Sequence, residues 1–102
     1  MFIRDKQITD LAINLATEIE YIKFLDFHRT NTGIINGAVF STFDSDKEDV
    51  VIYFQNHANP KDNSVFLSIT DSDTNKESGF ACDLDADDIA DTLNAYYFNV
   101  LP

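Results

Sequence analysis

A chain of 102 residues has the length of one domain, and with 44% apolar and 13% aromatic residues it can build a core, which sets it apart from a disordered acidic tail. Eighteen Asp and Glu against seven Lys and Arg give a net charge of −11, which argues against direct contact with nucleic acid or an anionic membrane and for a basic partner. The single cysteine, Cys82, excludes an internal disulfide and makes a reducing cytoplasm the expected compartment.

The opening residues Met1, Phe2, Ile3, Arg4 and Asp5 do not read as a signal peptide, and no apolar run approaches the roughly 20 residues of a membrane span. Residues 7–25 are predicted to form an amphipathic helix, because Ile8, Leu11, Ala12, Leu15, Ile19, Ile22 and Leu25 recur at spacings of three and four. A second apolar set, Ile13, Tyr21 and Phe24, falls on the opposite side of that helix. It reads either as scattered or loop-covered apolar residues or as an oligomer interface. Thr30, Asn31, Thr32 and Gly33 end the helical region.

From residue 38 the period changes to two. Strands are predicted over 38–43, 50–54, 65–70 and 78–82, the last weakened by Gly79. They are separated by an acidic turn at 44–49, a loop at 57–63 containing Pro60, and a second acidic turn at 71–77. Asp85 is a suitable N-cap for a last helix, whose stripe is Ala86, Ile89, Ala90, Leu93 and Tyr97. The expected fold is one acidic α+β domain over 1–102: helix, four-stranded antiparallel meander, helix, with both helices on one face of the sheet. Phe40, Phe66 and Phe80 are expected on the other face.

The charge is unevenly spread. Residues 1–43 carry five acids against four bases, and residues 44–102 thirteen against three. A meander places alternate turns at the same end of the sheet. Asp44, Asp46, Glu48, Asp49, Asp71, Asp73 and Glu77 are therefore expected together, offset by Lys47 and Lys76 alone. Asp83, Asp87 and Asp88 form a second acidic group near the start of the last helix.

No catalytic, metal or cofactor site is read from these residues. Asp71, Asp73 and Asn75 have the spacing that opens an EF-hand loop, but Lys76 stands where the turn needs Gly and Cys82 where calcium needs a bidentate Glu. The runs beginning at Asp44 and Asp83 fail in the same way. Asp and Ser populate turns and caps for backbone hydrogen bonding alone. His28, His57 and Cys82 have no local reason to meet, and the three glycines form no phosphate-cradling loop.

The magnitude of the charge favours a binding role. A net charge of about 2 to 8 keeps a small domain soluble, and −11 exceeds it. The expectation is a small non-enzymatic inhibitor that binds a basic, nucleic-acid-handling protein through its carboxylates and blocks its groove. Phage anti-defence factors, including anti-CRISPR proteins and DNA mimics, share this size and charge, although no family motif is present. An immunity protein neutralising a basic nuclease toxin uses the same physics. From another class, an oligomeric module, such as a homodimer, would associate through Ile13, Tyr21 and Phe24.

Overall fold

The computed structural model describes residues 3–43 and 45–98. They form helix α1 (Ile3–Glu18), strands β1 (Ile22–Arg29), β2 (Ile35–Thr42), β3 (Val50–Phe54), β4 (Ser64–Thr70) and β5 (Glu77–Asp83), and helix α2 (Ala86–Phe98). The class is α+β, as its sequence pattern predicts. The sheet has five antiparallel strands in the order β1-β2-β3-β4-β5, one more than expected.

The extra strand lies inside the stretch read as helix. Helix α1 buries Ile8, Leu11, Ala12 and Leu15 and ends at Glu18, and the chain then turns into β1. The pairing of β1 with β2 shifts register between Phe24 and Asp26, a bulge at Leu25. Phe24 pairs with Phe40 and Phe27 with Ala38, so both phenylalanines meet the core although three positions apart. A bulge thus converts the period of two into an apparent helical spacing of three. Thr30 and Gly33 form the β1–β2 turn rather than a helix stop, with Gly33 at a φ of 86° that favours glycine.

One face of the sheet carries Ala38, Phe40, Val50, Ile52, Phe54, Val65, Leu67, Ile69 and Cys82, and these join Ile8, Leu15, Ile89 and Leu93 of the two helices in a single buried cluster. Each fully buried Ile, Leu or Phe contributes roughly 1.5–3 kcal/mol. The register corrects the expected facing of two aromatics. Phe40 pairs with Val50 and Phe80 with Leu67, so both belong to the helix-covered face. Phe66 alone of the three lies on the open face, beside Tyr53 at 5.5 Å between ring centroids. Its ring crosses Gly79, where an added Cβ would stand 2.2 Å from Phe66 Cζ.

The β3–β4 loop is organised from the opposite end of the chain. Arg4 is 4% exposed, and its guanidinium donates to the carbonyl oxygens of Asn56, His57, Asn59 and Asp62. Residue 4 thereby fixes a loop more than fifty positions away.

Candidate partner-binding surface

The β2–β3 and β4–β5 turns lie at one end of the sheet, as a meander requires, and the Thr70 amide donates to the Asp49 carbonyl at 2.8 Å between them. In the first turn Asp46 and Glu48 are exposed. Asp44 lies outside the described residues. Asp49 is only 5% exposed, and its Oδ2 accepts the Thr42 amide at 3.3 Å and the Thr42 hydroxyl at 3.4 Å. The carboxylate read as a surface contact is therefore recessed.

In the second turn Asp71 Oδ1 accepts the amides of Asp73 at 2.9 Å and Thr74 at 3.4 Å, the local bonding that makes Asp a turn residue. Asn75 completes the turn at a φ of 58°. Glu77 accepts the Ser68 hydroxyl at 2.8 Å. Asp73 is exposed, and no side-chain hydrogen bond engages its carboxylate among the described residues.

A cavity of about 430 Å³ separates the two turns, lined by Thr42, Phe43, Asp49, Asp71, Tyr96 and Tyr97 among others. Phe43 has a φ of 52°, rare for a bulky residue. Its amide donates to the Tyr21 carbonyl at 2.8 Å, and its ring stacks on Tyr21 at 4.5 Å and 3°. Burial pushes the Tyr97 hydroxyl above its ordinary pKa. The Thr42 hydroxyl opposes that shift, while Asp49, Tyr96 and Asp71 add to it.

A second acidic surface joins the two helices. Asp10, Asn14 and Glu18 of α1 face Asp85 and Asp87 across a groove of about 600 Å³. The Glu18 carboxyl is raised above the ordinary carboxylate range, first by a hydrogen bond shared with Asp87, then by desolvation and the charges of Asp87, Asp85 and Asp91. Among the described residues a single ion pair forms, the exposed Lys6–Asp10 contact at 2.7 Å within α1. Apart from Asp10, the carboxylates of this groove form no ion pair among the described residues.

Sequence reasoning placed Asp87 in an acidic group but missed Asp10, Glu18 and Asp91. The spacing of Asp10, Asn14 and Glu18, and of Asp87 and Asp91, marks one polar face on each helix; that the two faces meet is a tertiary fact. Asp83 is exposed, while Asp88 turns back so that its Oδ2 accepts the Asp83 amide at 2.9 Å. Asp85 Oδ1 accepts the Asp87 amide at 3.3 Å, consistent with a capping role.

Of the residues considered for an oligomer interface, Ile13 is 59% exposed. Tyr21 and Phe24 pack inward: the Tyr21 hydroxyl donates to Asn94 Oδ1 at 2.8 Å, and Phe24 meets Phe40 edge to face at 5.8 Å. They follow α1 rather than lying on it. His28 stacks on Tyr53 on the open face, whereas Cys82 lies on the helix-covered face with its thiol 3.7 Å from the Thr92 hydroxyl. Among the described residues no three His, Cys, Asp or Glu side chains are arranged to hold a metal ion, and no helix is long and apolar enough to cross a membrane. No family model, curated protein or solved structure matches the chain.

Proposed function

We propose that this protein is a small acidic, non-enzymatic inhibitor that docks its carboxylates on a basic, nucleic-acid-handling protein in the cytoplasm and blocks the groove that nucleic acid would occupy. Phage anti-defence factors of the anti-CRISPR or DNA-mimic type are the functional class that suits it. The observation that carries this reading is the convergence of Glu18 with Asp85 and Asp87 on one groove between the helices. Like charges held together oppose folding, and a cationic surface laid across them relieves the repulsion. The exposed Asp46, Glu48 and Asp73 add a second contact region at the turn end of the sheet. A partner bound this way is steered over long range and released by salt.

The test is affinity capture from host lysate at low and high salt, using the wild type and two charge-reversed proteins, Asp46→Lys with Asp73→Lys, and Glu18→Lys with Asp87→Lys. The expected result is a basic protein retained at low salt and released at high salt, its affinity lowered about tenfold or more by each reversal. Capture that ignores both salt and charge reversal, or recovery of no basic protein, overturns the reading.

A further inference from the structure

We propose that the cavity between the 43–49 and 71–76 turns receives the guanidinium of an arginine side chain presented by the basic partner. The proposal rests on the partner reading above and adds the chemistry of one contact. Three features converge on it.

The first is Asp49. It is among the residues lining the cavity although only 5% exposed, and Oδ2 takes two long hydrogen bonds from Thr42, at 3.3 and 3.4 Å. No Lys or Arg among the described residues forms an ion pair with it. Among the described residues its hydrogen-bond donors are neutral groups of Thr42 alone, and a cation brought from outside would add the counter-charge they do not supply.

The second is the aromatic wall. Phe43 and Tyr97 meet edge to face at 5.1 Å, and Tyr96 meets Tyr97 in the same way at 5.0 Å. Ring faces attract cations, and the attraction strengthens where water is excluded. Phe43 is half exposed, with its ring stacked on Tyr21 and its edge contact to Tyr97 at the cavity wall.

The third is Asp71, a second carboxylate lining the same cavity. With Asp49 it gives the lining two acidic residues and, among the described residues, no Lys or Arg. Guanidinium suits these walls better than ammonium. It is planar, weakly hydrated, stacks on aromatic faces and donates to two acceptors at once.

The probe is the capped tripeptide acetyl-Gly-Arg-Gly-amide, compared with its citrulline counterpart, which keeps the shape and removes the charge. Titration is followed by two-dimensional amide NMR. The arginine peptide is expected to give saturable shifts at Thr42, Phe43, Asp49 and Tyr97, with a Kd on the order of millimolar. The citrulline peptide is expected to give none. Asp49→Asn and Asp71→Asn should each weaken binding about tenfold or more. The same spectra report whether each variant is folded, and Asp71→Asn preserves a turn that Asn also forms. Equal binding of the citrulline peptide, shifts centred elsewhere, or undiminished binding by folded Asp71→Asn overturns the proposal. Salt-sensitive capture of a basic protein without arginine binding here sinks this site and leaves the partner reading standing. Arginine binding here with no basic protein captured sinks the partner reading instead.

Discussion

The guanidinium carbon of Arg4 lies 4.0 Å from the centroid of the Phe54 ring. The ring covers one side of the charge while the carbonyls of Asn56, His57, Asn59 and Asp62 accept hydrogen bonds from its N–H groups. Lysine cannot reproduce a planar fork bonded to several acceptors and stacked on a ring. Arg4→Lys is expected to destabilise the protein by about 1–3 kcal/mol, because partly buried carbonyls lose their donors and a buried cation loses its acceptors. Urea unfolding would show this as a lower midpoint with an unchanged slope. A loss below about 0.5 kcal/mol, the range of ordinary surface substitutions, would mean that the loop holds itself.

The contact of Phe66 with Gly79 makes a coupled prediction. Gly79→Ala forces the ring aside and should cost about 1 kcal/mol or more. In a Phe66→Ala background the same change should be neutral or stabilising, since glycine weakens a strand interior. A double-mutant cycle measures the difference, and additivity of the two changes would refute the contact.

Glu18 makes stability depend on pH. Its folded-state pKa is raised, so the native state binds the proton more tightly than the unfolded chain does. The associated stability is fully present below the unfolded glutamate pKa of about 4.3 and is lost as pH rises through the folded value. Glu18→Gln should therefore raise Tm at pH 7, by a few degrees at most for an exposed site, and leave it unchanged near pH 3. Thermal melts across that range decide it; an equal effect at both pH values would argue against carboxylate crowding.

Cys82 should be a slow thiol. Burial raises its pKa, Thr92 opposes the rise, and the charges of Asp88 and Asp83 add to it. Reaction with a disulfide reagent at pH 8 is expected to be at least about tenfold slower in the folded protein than in denaturant. Comparable rates would mean that β5 and α2 part readily.

How much of this was legible in sequence depended on how local the cause was. The helical stripe that opens at Ile8 and the alternation at Val65, Leu67 and Ile69 are short-range patterns; the strand forms where it is predicted, whereas the helix predicted over 7–25 runs Ile3–Glu18. Residues 22–29 combine a bulge with an apolar spacing that suits either helix or strand, so the local signal was ambiguous. The meeting of the two acidic turns follows from strand order and could be reasoned out. The approach of Glu18 to Asp87 depends on how two helices cross, and the burial of Arg4 on where a distant loop comes to rest. Neither leaves a trace in the spacing of residues.

The bulge at Leu25 also bears on how the sheet ends. Strand β1 is an outer strand, and its outward row of amides and carbonyls could template a strand from another molecule. Two register irregularities in eight residues, with Lys23, Asp26 and Arg29 exposed along it, deny such a strand a regular ladder. The irregularity that disguised β1 as helix is thus also a guard against edge-to-edge polymerisation.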